Sequence, residues 1–150
     1  MATAAVDRVM EGKQYREEKR LKGSELLGME YERPIDFIPA PDGSCRVVGG
    51  GSHVTLEEGT GIVHTAPAFG GAEDFEIGRR EGVAVINPVN ASGKFEDDRL
   101  PWSGLFVKDA DPKIISYLKG RGGLLFRSGK VSHTYPFCYR CGTPLLYYPP

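Results

Sequence analysis

Twenty glycines and eleven prolines punctuate a chain of 150 residues, and that density argues against long helices. A glycine inside a helix costs about 1 kcal/mol relative to alanine and an interior proline about 3 kcal/mol. The chain therefore reads as short elements joined by frequent turns. Its length fits one domain able to bury a core, and 40% hydrophobic with 26% charged residues is the balance of a folded chain, not of a disordered tail. The formal net charge of -1 excludes a general attraction to nucleic acid, while leaving room for a local basic face that grips one end of an RNA. No apolar run approaches the length of a membrane span, and Met1–Ala5 soon meets Asp7 and Arg8. The expectation is a cytoplasmic protein with no membrane partner and no secretory leader. Of three cysteines, two stand as Cys138-Tyr-Arg-Cys141, a spacing that suits a metal or redox pair better than a disulfide framework.

Along the chain, residues 2–18 read as a helix interrupted at Gly12. Pro34 and Pro39 bracket an extended Ile35–Ile38, and Ala40-Pro-Asp-Gly43 is a turn leading to a strand at Ser44–Val48. After the flexible Gly49-Gly50-Gly51, His53–Leu56 alternates weakly, Glu57-Glu58-Gly59 turns, and Gly61–Ala66 reads as a buried strand. Glu73–Glu81 predicts a helix closed by Gly82 in a left-handed cap. Val83–Ile86 predicts a strand and Asn90-Ala-Ser-Gly93 a turn. Asp109-Ala-Asp-Pro112 predicts a helix with an aspartate cap, with Ile114, Ile115 and Leu118 on one face and Gly120 and Gly122 as its stop. Leu124–Phe126 and Val131–Tyr135 read as strands. The expected fold is α/β: a strand-rich curved or barrel-like sheet with two or three short helices.

The segment Glu58–Glu76 carries the chemistry. A strand, a glycine-rich bend and a helix start bring backbone N–H groups and a carboxylate to face one ligand. His64 lies on the strand and Asp74 in the first helical turn. A carboxylate there can bind an ammonium group, and an imidazole can hold a hydroxyl or a water. The residues alone leave a second reading open, in which Asp74 is only a partner of the helix dipole and His64 a satisfied strand residue.

Gly59-Thr-Gly-Ile-Val-His-Thr-Ala-Pro67, followed by Glu73-Asp-Phe75, resembles the core motif of the editing insertion shared by isoleucyl-, valyl- and leucyl-tRNA synthetases. Ser132-His-Thr-Tyr-Pro-Phe-Cys-Tyr-Arg-Cys-Gly-Thr-Pro-Leu-Leu-Tyr147 is similar to the run by which the isoleucyl insertion returns to its catalytic core. Lys22–Tyr31 and Asp109–Pro112 fall in the matching order, so the resemblance covers about residues 20–150. It implies one partial editing domain over 1–150, with an N-terminal helix over 1–20, an editing core over 21–135 and a return segment over 136–150.

The implied activity is hydrolysis of a mischarged tRNA(Ile), with the aminoacylated 3′ end and the remainder of a synthetase as partners. On that resemblance Asp74 grips the α-ammonium of the wrong amino acid, and His64 contacts the terminal ribose or sizes the pocket. Thr60, Gly61, Thr65, Ala66, Phe69, Gly70, Gly71 and Glu73 form the surrounding substrate wall. A positioned water attacks the ester, and editing needs no cofactor. Two departures stand out. Ten residues separate His64 from Asp74, one more than the family's usual interval, so either a loop bulge absorbs the extra residue or Glu73 competes for the role. The family's threonine-rich peptide, expected upstream of Met1, and its signatures for ATP and the adenylate do not occur in the chain. Without those signatures, aminoacylation is not expected of it.

Cys138 and Cys141 give half of a zinc site, which needs four ligands. Cys45, His53 and His133 have no matching spacing, so two reduced thiols at a turn are expected in preference to bound zinc. Trp102 is expected to anchor a loop against the core, and Lys119, Arg121, Arg127 and Lys130 to form a solvated face, with contact to RNA phosphates as the alternative. Two other function classes remain on the residues: a module that binds the acylated end without chemistry, and a small zinc-binding protein.

Overall fold

The computed structural model describes residues 1–56, 59–122, 124–130, 132 and 134–148. Three α-helices occur among them: α1 (Val6–Val9), α2 (Ala72–Glu81) and α3 (Val107–Gly120). Single 3-10 turns lie at Thr3–Ala5, Gly23–Leu26 and Gly51–His53. The strand-rich sheet expected from the sequence is not found. Among the described residues there is no strand, only isolated antiparallel bridges: Glu30 with Arg46, Val89 with Phe95, Lys94 with Phe106, and Phe137 with Pro144.

The physical reason is that a strand is stabilised by its neighbour, and these segments lack one. Ile62 and Val63, expected inside a buried strand, are 56% and 57% exposed. The predicted Ser44–Val48 strand reaches only a fragment of a ladder, in which Tyr31 N–H donates to the Cys45 carbonyl (3.0 Å) and Val47 N–H to Met29 (2.8 Å). The predicted strands at Val83–Ile86 and Leu124–Phe126 likewise do not form. Glu57 and Glu58 of the predicted turn, and Val131 and His133 of the last predicted strand, lie outside the described residues.

The helix predicted over 2–18 stops at Val9, because Gly12 follows at φ +70. By contrast α2 lies where its pattern predicts, and Gly82 closes it at φ 67, ψ 30. The N–H of Val83 then bonds the Gly78 carbonyl at 2.8 Å, a Schellman-type closure. Helix α3 begins two residues before the predicted Asp109 cap. Phe106 is its extended N-cap, and Pro112 lies inside the helix. The turn at Asn90–Gly93 forms as expected, with Asn90 Oδ1 accepting from the N–H groups of Ser92 (3.0 Å) and Lys94 (3.1 Å).

The chain divides into two compact units, Met1–Tyr31 with Pro41–Val85, and Glu32–Ala40 with Ile86–Tyr148. In the second, Trp102 (3% exposed) is the centre of an aromatic core. It meets Phe37, Tyr117 and Phe95 edge-on, with ring centroids 5.8, 6.0 and 6.3 Å away. Such geometry aligns ring edges with ring faces, and it makes Trp102 the loop anchor that its sequence context suggested.

In the first unit, α2 packs on the buried Pro67 through Gly78. A Cβ at Gly78 would lie 2.8 Å from both Cβ and Cγ of Pro67. Gly78→Ala should therefore destabilise the fold by about 1–3 kcal/mol through overpacking. Urea unfolding checks this, and a midpoint equal to that of the parent chain would contradict the packing described.

Candidate functional site

The candidate catalytic and substrate-binding residues belong to the first unit, and most of them cluster at the approach to α2. Between Pro67 and Gly71 the chain turns sharply, because the Ala66 carbonyl accepts from the N–H groups of both Phe69 (3.0 Å) and Gly70 (2.8 Å). Gly71, at φ 97 and ψ -176, then redirects the backbone into the helix. Only glycine holds those angles without strain.

Asp74, in the first turn of α2, folds back over this bend. Its Oδ2 accepts the Ala66 N–H at 2.7 Å. Gly70 is the surface on which that carboxylate rests: a Cβ there would lie 1.7 Å from Asp74 Oδ2 and 2.4 Å from Cγ. The anion also sits where the unpaired N–H groups of the helix start favour negative charge. The half-buried Asp74 is thus held by a backbone donor on one side and by a missing side chain on the other. Glu73 points elsewhere, with Oε2 3.1 Å from His53 Nδ1 and its side chain largely exposed. Asp74, not Glu73, reaches back to Ala66.

Ahead of the bend lies a cleft of about 730 Å³. Its walls are mainly apolar, from Leu26, Leu27, Tyr31, Val47, Val54, Ile62 and Val63, with the polar groups of Arg46, His64 and Thr65. Gly49, Gly50 and Gly51 complete one wall. Two arginines tie that wall to the C-terminal end of α2. Arg80 Nη2 donates to the Gly49 carbonyl at 2.7 Å, and Arg46 donates to the carbonyls of Gly43 and Glu81. Cations at a helix C-terminus complement its exposed carbonyls.

The sequence candidates therefore separate into groups. His64, Thr65 and Gly61 line the cleft. Asp74, Ala66, Phe69, Gly70 and Gly71 make the adjoining bend, joined to the cleft wall through the Thr65–Ala66 bond. Asp74 is not among the residues lining the cleft. Thr60 is used locally: its Oγ1 donates to the Ile62 carbonyl at 2.9 Å and accepts the Ile62 N–H at 3.3 Å. Gly61 is fixed by the N-terminus, since a Cβ there would lie 2.5 Å from that of Ala2. Sequence reasoning missed Arg46, whose only signal is its place just past the Pro-Asp-Gly turn, and the His53 contact to Glu73, which no spacing rule announces.

Cys138 and Cys141 sit in a tight turn of the second unit. The Cys138 N–H donates to the Thr143 carbonyl and the Gly142 N–H to the Cys138 carbonyl, each at 2.9 Å. The Thr143 hydroxyl, 3.1 Å from Cys141 Sγ, together with nearby backbone and Cys138, holds the Cys141 thiol below its usual range. A tetrahedral zinc site requires four ligands. No group of three or more His, Cys, Asp or Glu side chains is placed to hold a metal among the described residues. None of the described helices is long and apolar enough to cross a membrane.

No family model matches the chain. It is nevertheless 54% identical to an isoleucine–tRNA ligase of Thermoplasma acidophilum over 137 residues, which is 91% of this chain and 13% of that protein. Against the isoleucine–tRNA ligase of Clostridium kluyveri the identity is 52%, over 91% of this chain and 13% of the relative. Against that of Methanothermobacter thermautotrophicus it is 48%, over 98% of this chain and 14% of the relative. The chain thus spans only about an eighth of the length of the curated relatives it matches. With half of its residues shared across nearly its whole length, the chain belongs to the isoleucine–tRNA ligase family, as a partial stretch of such an enzyme.

Proposed function

We propose that this chain forms part of a hydrolytic editing site that cleaves valine from mischarged tRNA(Ile). The observation that carries the reading is the carboxylate of Asp74, held by the Ala66 N–H over a glycine beside a mainly apolar cleft. That arrangement supplies a fixed anion for an α-ammonium next to a space suited to a small aliphatic side chain. Asp74 Oδ2 is engaged by Ala66, which leaves Oδ1 to take the ammonium. His64, exposed on the cleft wall, contacts the terminal ribose and narrows the acyl space. A water positioned between the ribose hydroxyls and the backbone attacks the ester carbonyl, and the ribose oxygen leaves with a proton. The reaction as proposed uses water, Asp74 and His64, with no cofactor.

The chemical need is a matter of magnitude. One methylene contributes only about 1–3 kcal/mol of discrimination, a range for which the isoleucine enzyme is itself the standard measured case. A second site that admits valine and excludes isoleucine raises fidelity beyond what one binding step supplies. On this reading His64→Ala should narrow the ratio of valyl to isoleucyl ester hydrolysis by roughly tenfold, about one methylene's worth of selectivity. Parallel deacylation of the two esters measures it, and an unchanged ratio would remove His64 from the sieve.

A second reading is favoured by one observation, the absence of Asp74 from the cleft lining. The chain would then hold the acylated end without cleaving it. Tight binding of valyl-tRNA(Ile) with no release of valine distinguishes this from hydrolysis.

A further inference from the structure

The glycine-rich segment that walls the cleft is bonded to α2 at both ends of the helix. At the helix end, Arg80 Nη2 donates to the Gly49 carbonyl at 2.7 Å. At the helix start, Glu73 Oε2 lies 3.1 Å from Nδ1 of His53, the last residue of the 3-10 turn Gly51–His53. About two helical turns, roughly 10 Å, separate the two ties. The wall is thus strapped along the same element whose first turn carries Asp74.

On this strap a glycine and a valine pack on each other. Gly50 has φ -81 and ψ -11, angles open to any residue, so the backbone does not call for glycine there. Space does. A Cβ at Gly50 would lie 2.4 Å from Val54 Cγ2 and 3.6 Å from Val54 Cβ. Apart from its chain neighbours, no other atom of the described residues comes within 4 Å of that point. Val54 is half-buried and β-branched, so it has little freedom to turn away. Both residues line the cleft. The missing side chain at Gly50 is therefore what lets Val54 stand back from the cleft.

A sieve that rejects one extra methylene needs a wall held at a fixed distance from the group that grips the ammonium, because a wall that yields would admit both side chains. The strap meets that need, being fastened at both ends to the helix of Asp74. We infer that Gly50 and Val54 gauge the acyl side chain, with Arg80 as the positioning residue that holds the gauge in place. The inference rests on the proposed function above and names the residues that tell valine from isoleucine, while His64 bounds the space from the Gly61–Thr65 segment. The Arg80 side chain is 55% exposed, so its removal should leave the fold standing while loosening the wall.

The test uses non-hydrolysable amide analogues of the terminal adenosine ester, carrying 2-aminobutyrate, valine or isoleucine, titrated calorimetrically into the purified chain. The parent should bind the valyl amide about tenfold or more tighter than the isoleucyl amide, the low end of the range for one methylene, whose measured case is the isoleucine enzyme itself. Val54→Ala should bring that ratio close to one by admitting isoleucine. Gly50→Ala pushes Val54 into the cleft and should weaken the valyl amide about tenfold, while the shorter 2-aminobutyrate is held as in the parent. Gly50→Ala/Val54→Ala removes the clash, and its valine affinity should return to within about threefold of the parent. Arg80→Ala should lower the valine-to-isoleucine ratio about fivefold, the worth of one hydrogen bond. Arg80→Lys, which still has a donor for the Gly49 carbonyl, should restore most of it. Circular dichroism confirms that each variant is folded.

A purely structural role would shift all three amides together, and that result overturns the inference. So does a parent chain that binds none of the amides or grades them equally, and an unchanged ratio in Arg80→Ala overturns the strap. Because an amide is not cleaved, a chain that grades the amides as expected yet leaves valyl-tRNA(Ile) intact overturns the hydrolysis proposal alone. A chain that cleaves the valyl ester selectively, with Gly50→Ala and Val54→Ala silent on the ratio, overturns the gauge alone.

Discussion

Asp74→Ala should abolish deacylation of valyl-tRNA(Ile) by this chain and leave the fold standing. A hydrogen-bonded contact to a charged group contributes about 1.5–3 kcal/mol, and at 1.36 kcal/mol per tenfold the upper part of that range is roughly a hundredfold in rate. The structural loss is smaller. Removing the carboxylate unpairs the Ala66 N–H, but the site is only half-buried and water can replace Oδ2 there. About 1 kcal/mol of stability is the expected cost. Asp74→Asn separates the two roles, since the amide oxygen still accepts from Ala66 while the negative charge is gone. It should retain parental stability and fall with the alanine variant in activity. If Asp74→Asn deacylates like the parent chain, the charge has no part in binding the ammonium.

Gly70→Ala should damage the site nearly as much without touching a charged group. The new methyl would stand 1.7 Å from Asp74 Oδ2 and 2.8 Å from its Cβ, so the carboxylate has to leave its place over the bend and give up the Ala66 N–H. The backbone itself tolerates alanine, because Gly70 is not among the glycines at positive φ. The effect is therefore one of space, transmitted through a single side chain. A displacement of about 1 Å at a positioned group can cost a hundredfold in rate, and that is the expected loss. The double variant supplies the decisive comparison: if Gly70→Ala acts through Asp74, it should add almost nothing to Asp74→Ala. Multiplicative losses in the double variant would place the role of Gly70 elsewhere.

Helix α2 and its surroundings show what the sequence makes legible. Acidic residues at the start, arginines near the end and glycine at the stop are local signals, and each acts on the residues beside it. They place Asp74 in the first turn and Gly82 in the left-handed cap, as found. The start of α3 is less legible, because Asp109 and Pro112 look like a cap and a first turn, while Phe106 at an extended backbone angle already opens the helix. The sheet fails for a deeper reason. The buried strand read at Gly61–Ala66 forms only if another strand lies beside it, and pairing is a relation between distant segments. Ile62 and Val63 find no such neighbour and stay exposed. The family relationship was legible because it rests on ordered motifs spread along nearly the whole chain. The support of Asp74 by Gly70 was not, since two adjacent glycines announce freedom of the backbone and give no sign of which atom will occupy the space they leave.

The central claim is selective hydrolysis, and the direct measurement is release of the amino acid from valyl-tRNA(Ile) and isoleucyl-tRNA(Ile) by the purified chain. Asp74→Ala and a protein-free control are followed in parallel. The account predicts that the valyl ester is lost faster than the isoleucyl ester, and that Asp74→Ala returns it to the uncatalysed rate. A folded chain that leaves both esters at the uncatalysed rate, or cleaves both equally with Asp74→Ala unimpaired, would contradict it.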